Sequence, residues 1–173
     1  MARLLTTPRE LFGARLRQVL WVELRLSSEV LPRLVEQAHA TDLKNAFGRH
    51  LLETEGHVSV LRDVLGDLEM PGGPEESPAF KGLAKEHERL VEQVPDESPL
   101  LNDLVHAQAA AATEHLELAA YDSLASLAEA LGEEAVAIRL REVMEQEEFA
   151  LEQLVGAQAK LLAEKVESDH LPN

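Results

Sequence analysis

Hydrophobic positions recur every three to four residues over four long stretches of the chain, which is the spacing of one face of an α-helix. The predicted helices A, B, C and D cover residues 8–38, 42–68, 98–131 and 133–166. Thr7, Pro8 and Glu10 form a capping-box pattern at the start of helix A. Pro32 lies inside the pattern of helix A and is expected to bend that helix without ending it.

The connections between these helices predict two antiparallel hairpins. Helices A and B are separated by the turn-like segment "AHATD", and helices C and D by Gly132. Residues 69–97 hold half of the prolines of the chain and form one long crossover, in which a short helix is expected from Lys81 to Val94. Two hairpins joined by a long crossover predict an all-α, ferritin-like four-helix bundle, with residues 1–173 as a single domain.

Four glutamates interrupt the apolar faces of these helices at matched positions. The members of each pair are thirty residues apart, and the midpoints of the pairs are Ala38 and Gly132, where the chain is expected to reverse. Residues equidistant from the turn of an antiparallel hairpin lie at one level, here about 22 Å from the turn. The glutamates that should meet in the core are Glu23, Glu53, Glu117 and Glu147.

Carboxylates in a dry core require shared protons, basic partners or a metal ion. Four carboxylates match the charge of two divalent ions, so the set predicts a di-metal carboxylate site. Helix B offers two imidazoles near Glu53, since His50 precedes it by three residues and His57 follows it by four. Glu114, one turn before Glu117, is a further ligand or a neighbour of one.

Each of these residues also has a simpler interpretation. A single glutamate on a helix is usually solvated or paired with an arginine such as Arg25, Arg49 or Arg139. A histidine on a helix face is as often a packed or capping residue as a ligand. Tyr121 lies on the line of Glu117, where it either donates a hydrogen bond to a ligand carboxylate or serves as an amphipathic core residue.

The composition of the chain limits which metal ligands and which binding partners are possible. The chain has 173 residues and no cysteine, so a metal would bind to oxygen and imidazole ligands, as iron and manganese do. The formal charge of −16 argues against nucleic acid and anionic lipid as partners. No stretch approaches the ~20 apolar residues of a membrane span, so the expected location is the cytoplasm.

Three segments, "WVELRLSSEVLPRLVEQA", "HLLETEGH" and "EHLELAAYDSLASLAEALG", resemble the YciF/YciE-like bacterial stress proteins, a ferritin-like family. The resemblance runs over residues 8–165 and implies a homodimeric, rubrerythrin-like bundle. The family's patterns fall on Glu23, His50, Glu53, Glu114, His115, Glu117 and Glu147. This chain departs from them at Leu52, Leu116, Gln146 and Leu151.

These observations lead to two functional hypotheses. The first is a bundle that binds iron or manganese and reacts with oxygen or peroxide, as a ferroxidase or peroxide-handling protein in stress protection. Two ions are expected, although the loss of acidic residues at positions 52 and 146 makes a single ion an alternative. The second hypothesis is a metal-free or weakly metal-binding helical dimer with a structural or partner-binding role.

Overall fold

The computed structural model describes the backbone of residues 4–170 and the side chains of residues 4–163. All regular secondary structure in this part of the chain is helical, which confirms the prediction of an all-α bundle. The helices are α1 (Pro8–Arg25), α2 (Leu31–Gln37), α3 (Thr41–Asp67), α4 (Pro78–Val91), α5 (Pro99–Ala130) and α6 (Glu134–His170), with a π-helical turn (Leu26–Val30) between α1 and α2.

The first rod of the bundle combines α1, the π-helical turn and α2. It begins at the predicted capping box, in which the Thr7 hydroxyl accepts a bond from the Glu10 amide and the Glu10 carboxylate accepts one from the Thr7 amide. The rod does not break at Pro32, because this residue lies in the first turn of α2, where a missing amide hydrogen costs little. Extended backbone at Ala38 then ends the rod.

The crossover helix α4 begins three residues before the predicted start at Lys81 and ends three residues before the predicted end at Val94. The reason is a capping signal that the periodicity alone does not show. The Ser77 hydroxyl accepts a bond from the Phe80 amide at 3.4 Å, and Pro78 occupies the first turn. The bounds of the four long rods lie within one residue of the prediction, except that α6 continues to His170.

Polar contacts at opposite ends of the bundle establish how the rods are arranged. The first rod is antiparallel to α5, and α3 is antiparallel to α6, so α3 and α5 run in the same direction, as the long crossover requires. The contacts are Arg9 to Glu133 and the Ala40 amide to Asp103 for the first pair, and Lys160 to Asp42 and Arg139 to Asp67 for the second.

The core consists of two separate hydrophobic clusters, one towards each end of the bundle. The cluster nearer Gly132 contains Phe12, Leu16, Leu61, Leu124 and Leu140, and the cluster nearer Ala38 contains Leu34, Leu43, Phe47, Phe80 and Leu154. On α3, α5 and α6 the residues between these clusters include buried polar side chains. Among the described residues, no helix combines the length and apolarity needed to cross a bilayer.

Candidate metal centre

Six ionisable side chains fill the layer between the two hydrophobic clusters. Each is 0–4% exposed, although single carboxylates and imidazoles normally remain in contact with water. All four rods contribute at least one of them. They are Glu23 from α1, His50 and His57 from α3, Glu114 and Glu117 from α5, and Glu147 from α6.

The π-helical turn follows Glu23 directly and changes the backbone around it. The amide of Leu31 bonds to the carbonyl of Leu26, five residues earlier, and the Ser27 hydroxyl donates to the carbonyl of Glu23 at 2.8 Å. The Glu23 carbonyl also accepts a bond from the Leu26 amide, so the hydroxyl adds a second donor where the regular α-helical ladder is interrupted. Single π-helical turns inside α-helices occur frequently at functional sites.

Helix α3 presents its two histidines to the core from one face. His50 and His57 are seven residues apart, which is two helical turns. Thr54 lies between them, fully buried, and its hydroxyl donates to the carbonyl of His50 at 2.8 Å. The inward face of α3 at this level therefore carries imidazoles and a hydroxyl.

The six side chains form two groups that share one carboxylate. Within each group the potential ligand atoms all lie within 4.8 Å of one another. The first group is Glu23, His57 and Glu147, and the second is His50, Glu114, Glu117 and Glu147. Both groups could hold a metal ion.

Glu147 directs a different oxygen towards each group. Its Oε1 lies 3.0 Å from His57 Nδ1, and its Oε2 lies 3.7 Å from His50 Nε2. His57 Nδ1 is also 3.5 Å from Glu23 Oε1, and His50 Nε2 is 3.2 Å from Glu114 Oε1. A carboxylate with one oxygen in each group has the arrangement that a bridge between two ions requires.

Two polar side chains outside the groups orient residues within them. His57 Nε2 lies 2.9 Å from the amide oxygen of Gln146, which can only accept, so Nε2 carries the hydrogen and Nδ1 faces the carboxylates. The Tyr121 hydroxyl donates a short hydrogen bond to Glu23 Oε1. This contact matches the first of the two interpretations of Tyr121.

Burial perturbs the titration of this layer. Burial, followed by repulsion from Glu23, Glu147 and Glu114, raises the pKa of Glu117 well above its ordinary value. Burial also raises the pKa of Glu23 and of Glu147, against the opposing effect of His57. Burial alone would lower the pKa of His57, but Glu147 and Glu23 outweigh it and raise this pKa to about 10.

Many buried polar atoms of the layer have no hydrogen-bond partner. Of the ten buried side-chain nitrogen and oxygen atoms without a hydrogen-bond partner in the described chain, nine belong to it. Both oxygens of Glu117 and of Glu147 are among them. Such orphaned atoms are costly unless a proton or cation approaches them, and two divalent ions would balance four carboxylates beside neutral imidazoles. The residues present therefore fit a pair of divalent metal ions.

Glu53 is placed differently from the other candidate ligands. It belongs to neither group, its side chain is 24% exposed, and its Oε2 lies 3.7 Å from His50 Nδ1 on the outer side of that ring. Its distance along the chain from Glu23 predicts the correct level in the bundle, but spacing along the chain cannot define the rotation of α3 about its axis. Glu114 lies in the layer in its place, and His115 is exposed. A role for Glu53 in metal binding remains a prediction.

The contact of Gln146 with His57 was not predicted from the sequence. The residue stood out only as an amide where the resembling family carries an acid. Its position immediately before Glu147 was the available signal, because neighbours of a metal ligand often contact a second ligand.

Fold and site together define a four-rod helical bundle with a carboxylate and imidazole centre in its core. The comparison with protein families gives a narrower assignment. The chain belongs to the family described as "Domain of unknown function (DUF892)", whose model matches residues 7–167.

Three comparisons connect this family to characterised relatives. Protein YciF of Escherichia coli (strain K12) is 31% identical over 121 residues, which is 69% of this chain and 72% of that protein. The crystal structure of the E. coli stress protein YciF matches with a TM-score of 0.83 and 27% identity, covering 92% of this chain and 99% of that one. YcfI from Rhodopseudomonas palustris is proposed to be a structural protein. It matches with a TM-score of 0.82 and 28% identity, covering 89% of this chain and 96% of that one.

Proposed function

We propose that this protein binds two divalent metal ions, iron or manganese, in the layer between its two hydrophobic clusters. Glu23 and His57 would hold one ion, His50, Glu114 and Glu117 would hold the other, and Glu147 would contribute an oxygen to each group. The observation that carries the proposal is the pair of Glu147 oxygens, each directed at a different group of buried ligands.

The ligand set favours iron and manganese. Carboxylate oxygens with imidazole nitrogens suit both ions, and the chain has no thiolate that would select zinc or copper(I). When bound, either metal supplies redox chemistry towards oxygen or peroxide. The chain's own residues exclude bulk water, orient His57 through Gln146 and place a hydroxyl proton of Tyr121 at Glu23.

We therefore propose a ferroxidase or peroxide-handling role, with oxygen or peroxide as the small oxidant. The relative YciF of E. coli is called a stress protein, and removal of ferrous iron or peroxide is a protective reaction under oxidative stress. Oxygen consumption after anaerobic loading with ferrous iron tests this role directly. Consumption no faster than in protein-free buffer would exclude it, while leaving metal binding to be judged separately.

Metal content measures the centre itself. We expect the purified chain to retain about two manganese ions per protomer after gel filtration, and the Glu147→Gln variant to lose binding at both positions. The loss should exceed the 10- to 100-fold decrease typical of outer partners, because Glu147 is a proposed ligand of both ions. Glu148→Gln, the same change at an exposed neighbour, should bind as the parent does. Equal metal content in all three proteins would refute the centre.

Three observations favour a second function, a metal-free helical dimer with a structural or partner-binding role. His57 has a pKa of about 10, so its positive charge offsets part of the carboxylate charge without any metal. Helix α6 also exposes Ile138, Phe149 and Val155, at 59%, 42% and 52%. YcfI is proposed to be structural. A metal-free chain that sediments as a dimer, and that dissociates when Phe149 is replaced by Glu, would support this function.

A further inference from the structure

A cavity of about 300 Å³ lies beside the centre, between the π-helical turn, α2, α4 and α5. Its inner wall is apolar and buried, and Glu114 of the second ligand group is the acidic residue at its buried end. The apolar lining includes Leu26, Leu31, Leu34, Phe80 and Ala110. The volume is at the lower end of the range of small-molecule sites, about 300–1,000 Å³.

Helix α4 forms the roof of this cavity and is attached at two points. Near its start, Phe80 packs edge-on against Trp21 of α1, with ring centroids 6.0 Å apart. Further along, His87 Nε2 lies 2.8 Å from His106 Nδ1 of α5. Because α4 is held at Phe80 and His87, the cavity is preformed and does not depend on a ligand to open it.

The charges around the cavity discriminate against anions. Its mouth carries the exposed residues Arg33, Glu88 and Glu92, and its buried end carries Glu114. Three carboxylates thus surround it against one guanidinium, in a chain of net charge −16. An anionic ligand would be repelled by this field and would lose its hydration on entering an apolar space.

We propose that this cavity binds a small, uncharged and mainly apolar molecule with one polar end, such as a medium-chain alcohol, with its hydroxyl directed at Glu114. Glu114 Oε2 has no partner in the described chain and is covered by neighbouring atoms, so a rotation of the carboxylate towards the cavity would let it accept a bond from this hydroxyl. The cavity lies next to the proposed metal centre. Binding of the molecule does not depend on the proposed function, but its position beside two metal ions does. The cavity would bring an organic molecule next to the ions, in addition to oxygen or peroxide.

The probe for binding is octanol, followed by saturation-transfer NMR on the metal-free protein, with octanoate as the anionic comparison. We expect octanol to bind at least about tenfold more tightly than octanoate. Intermolecular NOEs from octanol to the methyl groups of Leu31 and Leu34 should identify the cavity without any substitution. Equal binding of the two probes, or NOEs to other methyl groups only, would overturn the proposal.

A matched pair of variants on α4 tests the location. Ala84 lines the cavity, and Ala84→Phe should place a ring inside it and lower octanol affinity at least about tenfold. Gly82→Phe makes a neutral change on the same helix, at a position where an added Cβ meets nothing within 4 Å, and should bind octanol as the parent does. Unchanged affinity in a folded Ala84→Phe protein would also overturn the proposal.

Manganese loading separates this inference from the proposed function. In the loaded protein, paramagnetic relaxation should be faster for the octanol protons next to the hydroxyl than for its methyl protons. The reverse order would overturn the proposed orientation. If the protein takes up no manganese, the metal centre is refuted, while the measurements on the metal-free protein still decide whether the cavity binds octanol.

Discussion

At the scale of single residues, the layer between the clusters depends on which atom of each side chain faces inward. Glu147 uses both of its oxygens, and His57 presents Nδ1 because Nε2 is engaged by Gln146. Because the carboxylates raise the pKa of His57, its Nδ1 also carries a hydrogen towards them when no metal is bound, and a bound ion would take the place of that hydrogen. Residues outside the two groups therefore control how the candidate ligands are oriented.

Replacing Gln146 by Leu should weaken metal binding in the group of Glu23, His57 and Glu147. The substitution removes the acceptor that orients His57, and the loss of such outer partners typically costs about 10- to 100-fold in affinity. Isothermal titration with manganese should show one weakened site and one unchanged site.

The control for this prediction is Gln153→Leu, which makes the same change two turns further along α6 at an exposed position. It should titrate as the parent protein does. If Gln146→Leu weakens both sites equally, or neither, the assigned role of Gln146 is wrong.

At the scale of the elements, α4 is held to α5 by an imidazole pair whose state depends on pH. Burial lowers the pKa of His87, and burial followed by the nearby His87 charge lowers the pKa of His106 to about 4. Asp103 acts in the opposite direction on His106, and His39 in the same direction as His87. Both rings are therefore kept neutral in the folded protein, where they share one hydrogen bond.

This pair should make the protein less stable in acid. Below pH 6.5 the unfolded chain takes up protons on these histidines, whereas folded His106 resists protonation until about pH 4. Its contribution to stability is thus fully present above pH 6.5 and is lost as the pH falls to about 4. Urea unfolding across this range should show a weaker pH dependence for His106→Gln than for the parent.

His115→Gln provides the matched control, since it is the same substitution on the same helix at an exposed position. Its unfolding free energy should follow that of the parent across the acid range. A parent-like pH profile for His106→Gln would show that the imidazole pair does not carry the effect.

At the scale of the whole molecule, the bundle is divided by a layer that opposes folding when no cation is present. The two hydrophobic clusters stabilise the fold above and below it, while four buried carboxylates lie between them, in two groups that share Glu147. Burying like charges in a dry core costs free energy that protons, histidines or metal ions must offset. The stability of the whole chain is therefore expected to depend on its metal content.

Manganese should raise the melting temperature of the parent protein. At a free concentration of 100 times Kd, one site adds about 2.7 kcal/mol to the free energy of unfolding, and two sites add about twice that amount. Calorimetry with and without manganese measures the effect. Glu147→Gln should show little gain from the metal. A melting temperature of the parent that does not change with manganese would contradict this prediction.

Helix positions, the two reversals and the level of Glu23, Glu117 and Glu147 follow from the sequence alone. Each depends on local information, since apolar periodicity, capping residues and equal distances from a turn can be read along one chain. Ser77 and Pro78 mark the start of α4 by the same local rules, three residues before the predicted start at Lys81.

Tertiary structure alone decided which face of α3 enters the core. Position 53 is at the correct level, but the packing of α3 against its neighbours rotates His50 and His57 inward and leaves Glu53 partly exposed. That rotation depends on side chains from all four rods at once, as do the contact between Gln146 and His57 and the cavity beneath α4. Local sequence rules determine where a helix runs, but the shape of its neighbours determines which of its residues meet.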